Sequence, residues 1–157
     1  MNRLRYIISA AAIIFMAAAC SKNNTDPTPY IDPSVIGEWH LTGASSEGSA
    51  IYDDLDVYMT LNPDCTFELY QKSGTQTRYD KYTGIFHMTD EEITGTYADG
   101  SPWGSKYIAS VSGETLTLCT TDMMEVQTYK REALSKTEKE KANLKTKADN
   151  DSAAPIL

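Results

Sequence analysis

Ile36-Gly37-Glu38-Trp39-His40-Leu41, taken together with Tyr129-Lys130-Arg131, decides the fold. Gly37-x-Trp39 opens the first clear strand and Arg131 closes the last, with short strands and turns between them. A closed antiparallel barrel needs this arrangement, because its first and last strands pair and residues far apart in the chain meet. An indole at one end, covered by a guanidinium, seals such a seam by burial plus a cation–π contact. Gly37, Trp39 and Arg131 are therefore the expected barrel-closure residues.

Working outward, the chain divides into eight strands, at about 36–42, 56–62, 65–72, 79–88, 92–97, 103–111, 115–120 and 124–131. Alternation is clearest in Val57-x-Met59-x-Leu61, Phe67-x-Leu69, Phe86-x-Met88 and Leu116-x-Leu118. Asn62-Pro63-Asp64, Thr89-Asp90-Glu91 and Ser112-Gly113-Glu114 are turn signals. With nothing long enough for crossover helices, the pattern predicts an all-β, eight-stranded antiparallel up-and-down barrel. Turns after strands two, four and six are tight and lie beside Trp39; the longer connections 43–55, 73–78, 98–102 and 121–123 lie at the other end. The shape implied is a cup, corked below and loop-rich at its mouth. In the last strand, inward Arg131 and Tyr129 would turn Gln127 and Glu125 inward too. Either the cup has a polar wall or a bulge shifts the register.

The ends of the chain carry other information. Residues 1–19 combine basic Arg3 and Arg5, an apolar stretch from Ile7 to Met16 and small residues before Cys20, the pattern of a secretory signal. Residues 20–31 are polar with two prolines, a tether, and 32–131 form the barrel domain. Asp32-Pro33-Ser34-Val35 predicts one helical turn before strand one. Residues 132–157 predict a short helix and a disordered tail. The 157 residues carry 22 acids against 14 bases, and loss of Arg3 and Arg5 with the signal makes the balance more acidic still. An acidic barrel without a basic stripe argues against nucleic acid as a partner and against electrostatic adhesion to anionic lipid.

Ala17-Ala18-Ala19-Cys20 resembles the lipobox of bacterial lipoproteins, which implies lipidation of Cys20 and a membrane anchor. Gly37-Glu38-Trp39, Leu61-Asn62-Pro63-Asp64-Cys65-Thr66-Phe67, Gly84-Ile85-Phe86, Tyr97-Ala98-Asp99-Gly100, Tyr107 and Tyr129-Lys130-Arg131 look like the lipocalins and wider calycins. They are most similar to the lipocalin-like domains of Bacteroidetes lipoproteins. A Thr-Asp-Tyr motif of true lipocalins is not found; Thr121-Asp122 is followed by Met123. The resemblance implies a lipid-anchored, monomeric protein of the bacterial cell envelope, at the outer membrane on its periplasmic or surface face.

Few residues point to other chemistry. Cys65 and Cys119 fall at opposite ends of the expected barrel, about a strand length apart, too far for a disulfide. His40 and His87 are expected outward and solvated, and Asp53-Asp54-Leu55-Asp56 and Asp90-Glu91-Glu92 lack the spacing of a calcium loop. With no nucleophile motif, the chain is expected to be neither an enzyme nor a cofactor or metal protein. Tyr97, Trp103, Tyr107, Met123 and Met124 flank mouth connections and are the candidate ligand-binding residues, lining a cavity for a small, partly apolar ligand. Equally, small barrels are filled by such side chains. The alternative is then an envelope interaction module that contacts a protein or glycan through its mouth loops, with Tyr52 and Trp103 in an exposed aromatic patch.

Overall fold

The computed structural model describes residues 31–50, 52, 54–149 and 154–157. The expected signal segment, Cys20 and the tether up to Tyr30 lie outside the described residues. A 3-10 turn, Pro33–Val35, precedes β1 (Gly37–Ser46), β2 (Ser49–Ala50), β3 (Leu55–Leu61), β4 (Thr66–Ser73), β5 (Asp80–Thr89), β6 (Glu92–Tyr97), β7 (Tyr107–Ser112), β8 (Thr115–Thr120) and β9 (Glu125–Arg131). Helix α1 (Lys136–Lys141) and β10 (Asn143–Leu144) follow. Pairing runs β1-β3-β4-β5-β6-β7-β8-β9 and back to β1, every joint antiparallel, so eight strands close an up-and-down barrel.

The seam is built from the bottom. Asp32 caps the 3-10 turn by accepting from the Ser34 N–H at 2.8 Å, with Pro33 locking the first position. That turn offers the Val35 carbonyl to the Trp39 indole N–H at 2.8 Å. Trp39 is paired with Arg131 across the β1–β9 ladder, and the guanidinium carbon lies 4.1 Å from the centre of the indole. Its Nη1 and Nη2 donate to the carbonyls of Ile36 and Ser34 at 3.1 and 3.0 Å. Gly37 is needed for two reasons: its φ is +144°, and a Cβ there would stand 2.3 Å from Arg131 Nη1. Above the cork the interior is solid, with Val57, Met59, Phe67, Leu69, Phe86 and Leu118 at most 1% exposed.

Three departures from the sequence expectation bear on the mouth. Strand β1 runs on to Ser46 and turns back as β2, over positions expected to be loop, because a bulge between Leu41 and Gly43 lets it follow β9 to Glu125. The strand expected from 103 begins only at Tyr107. Pro102 meets Thr96 in an isolated antiparallel bridge, flanked by the Tyr97 N–H donating to the Ser101 carbonyl at 2.8 Å and the Trp103 N–H to the Gly95 carbonyl at 2.9 Å. Trp103 then turns inward and the chain leaves the ladder over 104–106. As a result β6 and β7 pair only through Glu92–Ile108 and Ile93–Tyr107.

The third departure is the C-terminal segment. Helix α1 is capped by Ser135 and sits beside a second apolar cluster on the outer wall, Tyr70, Tyr79 and Leu134 with Tyr58 and Ala142. Lys139 fixes it to Glu38 at 2.8 Å. Strand β10 then covers the upper edge of β5, where β6 does not reach, pairing parallel with Asp80 and Lys81. Residues 154–157, expected within a disordered tail, are ordered instead. Pro155, Ile156 and Leu157 are buried against the barrel. Apolar burial and main-chain hydrogen bonds offset the loss of chain entropy that composition alone made prohibitive.

Candidate functional site at the barrel mouth

Strand β9 keeps its alternation, which resolves the choice left open above in favour of a polar wall. Tyr129 and Gln127 both face inward and are fully buried. The Tyr129 hydroxyl donates to Gln127 Oε1 at 2.5 Å, and Gln127 Nε2 donates to Glu125 Oε1 at 2.7 Å. Across the cup, β4 carries Phe67, Leu69 and then Gln71 on its inward face, with Gln71 3% exposed. Tyr97 ends β6 and Tyr107 starts β7, both buried. The upper interior is thus a ring of amide and phenol groups set on an apolar floor.

Electrostatics make these phenols donors rather than acids. Burial, reinforced by neighbouring Tyr107 and Glu125, raises Tyr129 well above the usual tyrosine value. Burial likewise raises Tyr97 and Tyr107, a hydrogen bond to Leu157 partly opposing the effect at Tyr97. Tyr52, over the rim, is raised by burial and then by Glu125. Among the described residues Lys147 brings a cation to this ring, its value lowered chiefly by burial with Asp99 opposing. It lies 5.0 Å from the centre of the Tyr97 ring.

Every hydrogen bond described between this ring and residues 154–157 goes to main-chain atoms. Gln71 Nε2 donates to the Ala154 carbonyl at 3.0 Å, and the Ile156 N–H donates to Gln71 Oε1 at 3.2 Å. Tyr107 and Gln127 both donate to the Ile156 carbonyl at 3.4 Å. Tyr97 and Lys147 donate to the Leu157 main-chain oxygen at 2.8 and 3.4 Å. Lys147 also donates to Pro102 O at 2.6 Å.

Of the expected ligand-binding residues, Tyr97, Trp103 and Tyr107 come together. The Trp103 ring centre is 6.2 Å from that of Tyr107 and 5.2 Å from that of Phe67, edge-on to both. Gly95 makes room for it, since a Cβ there would lie 2.3 Å from the indole. The Trp103 Nε1–H is buried without a hydrogen-bond acceptor among the described residues. Met123 and Met124 do not join the site. They are 73% and 45% exposed on the β8–β9 turn, where Asp122 accepts from Thr120 Oγ1 at 2.7 Å and from the Met124 N–H at 3.0 Å, turning both side chains outward. Nor is there an exposed patch of Tyr52 with Trp103, because Trp103 is only 4% exposed. Sequence reasoning missed Gln71, Lys147 and the tail. The signal for the tail was Ala154-Pro155-Ile156-Leu157, an apolar run closing a polar segment.

Elsewhere, His87 is exposed, but His40 is more enclosed than expected. It stacks on Tyr58 with 4.2 Å between ring centres, and its nitrogens lie 3.0 Å from Asp56 and 3.3 Å from Glu132. Among the described residues no three acidic, histidine or cysteine side chains form a metal-binding group. Cys65, in the β3–β4 turn, and Cys119, on β8, are free thiols.

Comparison with known proteins adds family membership. A sequence profile of the lipocalin-like domain matches residues 35–118, more than half of the chain. Among solved structures, a mutant of the fluorescent protein UnaG aligns at 12% identity over 61% of this chain and 94% of its own, with a TM-score of 0.33, too loose to support a functional reading. Comparison with curated proteins gives no significant match. The chain belongs to the lipocalin-like domain family.

Proposed function

We propose that this protein is a non-enzymatic, lipid-anchored binding protein of the bacterial cell envelope that takes a small, partly apolar ligand in the upper half of its barrel. The observation that carries the proposal is the seating of Ile156 and Leu157, 6% and 1% exposed, on the ring of Gln71, Tyr97, Tyr107 and Gln127. A cup that seats two branched aliphatic side chains and meets the main-chain polar atoms beside them with phenol, amide and ammonium groups has the chemistry for a guest of that kind. Binding would gain from apolar burial, about 25 cal/mol per Å². Orientation would come from phenol, amide and ammonium donors, with the Trp103 N–H in reserve for an acceptor. The anchor is proposed at Cys20, on its resemblance to a lipobox; the domain is proposed to act as a monomer.

Native mass spectrometry of protein taken from its own membrane fraction is the test, with titration by anilinonaphthalene sulfonate. A co-purifying small molecule, or saturable one-site enhancement that quenches tryptophan emission, is expected. No adduct and no saturable signal, from the protein as isolated or with its tail displaced, would overturn the proposal. For the anchor, Cys20→Ser should move the protein from the detergent phase to the aqueous phase; unchanged partition would refute it.

A further inference from the structure

Resting on the ligand-binding proposal, we infer that the upper barrel is a site for a short, extended, apolar peptide-like chain, and that residues 154–157 occupy it in cis as a displaceable guest. The pattern of contact points to peptide chemistry. Gln71 uses both ends of its amide on the carbonyl of Ala154 and the N–H of Ile156, two residues apart, as a neighbouring strand would. The main-chain oxygens of Ile156 and Leu157 then meet Tyr107 with Gln127, and Tyr97 with Lys147. Among these bonds none reads a side chain of the tail. What is selected is a backbone flanked by branched aliphatic groups, Ile156 and Leu157, which join the core cluster.

The manner of attachment makes the guest displaceable. Residues 154–157 belong to no strand, so their departure breaks no rung of the barrel. The preceding segment is held outside by its own anchors. Strand β10 pairs with β5, and the Ala148 N–H donates to Asp99 at 3.2 Å. A tail tethered so close competes as a ligand at millimolar effective concentration, and any external guest must bind against it.

The test compares the full chain with its Ile156→Asp, Leu157→Asp double variant, both checked for folding by near-ultraviolet circular dichroism. The probes are a dansyl-labelled Ala-Pro-Ile-Leu peptide and anilinonaphthalene sulfonate. The variant should bind the labelled peptide at least about tenfold more tightly than the full chain does, and unlabelled peptide should chase it. Equal peptide affinity for the two proteins overturns the inference. So does peptide failing to bind while anilinonaphthalene sulfonate saturates the variant; in both cases the ligand-binding proposal survives. Failure of both probes on both proteins overturns inference and proposal together. A second measurement needs no variant: excess peptide added to the unaltered protein should speed hydrogen exchange of the Ile156 amide in proportion to occupancy. An unchanged rate at saturation overturns displacement.

Discussion

Replacing Gly37 by alanine tests the seam most directly. The new Cβ would stand 2.3 Å from Arg131 Nη1, on a backbone held at φ +144°. The guanidinium must then leave the carbonyls of Ile36 and Ser34, now 3.1 and 3.0 Å away. Those two charge-assisted bonds contribute about 1.5 kcal/mol each, at the low end of their range because the side chain is partly exposed. Loss of the stacking on Trp39 adds about 0.5–1 kcal/mol, and the backbone conformation about 1–2 kcal/mol. The expected loss is roughly 4.5–6 kcal/mol, a large fraction of a domain's ordinary stability. Urea unfolding followed by tryptophan fluorescence should show the midpoint falling with little change in slope. The discriminating experiment is the double-mutant cycle with Arg131→Ala. In that background the clash is gone, so Gly37→Ala should cost only its conformational part, about 1–2 kcal/mol, leaving a coupling of about 3.5–4 kcal/mol. Coupling below about 0.5 kcal/mol would refute the claim that the glycine exists to admit the guanidinium.

Further expectations concern the mouth. Gly95→Ala, whose Cβ would lie 2.3 Å from the Trp103 indole, should expel that ring, lower stability by about 1–3 kcal/mol and red-shift tryptophan emission; unshifted emission would contradict the packing. Gln127→Leu leaves the buried Tyr129 hydroxyl without its acceptor and should cost about 1–3 kcal/mol in thermal melts, much of it restored by adding Tyr129→Phe. Tyr97, Tyr107 and Tyr129 have raised folded-state values, so the folded protein holds protons that the unfolded chain releases near pH ~10. Their contribution is therefore complete below pH ~10 and is lost as pH rises further. Melting temperature should fall above that point, with part of the phenolate absorbance appearing only on unfolding. Titration of all tyrosines near pH 10 with intact circular dichroism would contradict this.

The barrel was legible because its causes are local or periodic. Alternating Val57-Met59-Leu61 and Phe67-Leu69 declare an inward face, and Asn62-Pro63-Asp64 declares a turn, realised by Asp64 accepting from the Thr66 N–H and hydroxyl at 3.0 and 2.6 Å. Gly37-x-Trp39 and Arg131 declare a joint because glycine, indole and guanidinium have few other reasons to recur in those places. The grouping of residues at the candidate site was half legible. Tyr97, Trp103 and Tyr107 followed from their position near a mouth connection, whereas Met123 and Met124 were misplaced by a tight Asp122-centred turn that strand counting cannot resolve. Gln71 and Lys147 carry no motif. Their importance depends on what the tail does, and that depends on three-dimensional proximity between residues as far apart as Gln71 and Ile156.

Closure through β1 and β9 also sets a schedule for assembly. The ladder from Trp39–Arg131 to Ser46–Glu125 joins segments separated by most of the domain, so a large loop must be drawn together before its hydrogen bonds form. Such topologies fold in milliseconds to seconds rather than microseconds. Until Arg131 has been synthesised, β1 lacks its partner and keeps a naked edge. During synthesis the nascent sheet is therefore most open to wrong pairing in the interval just before its final strand arrives.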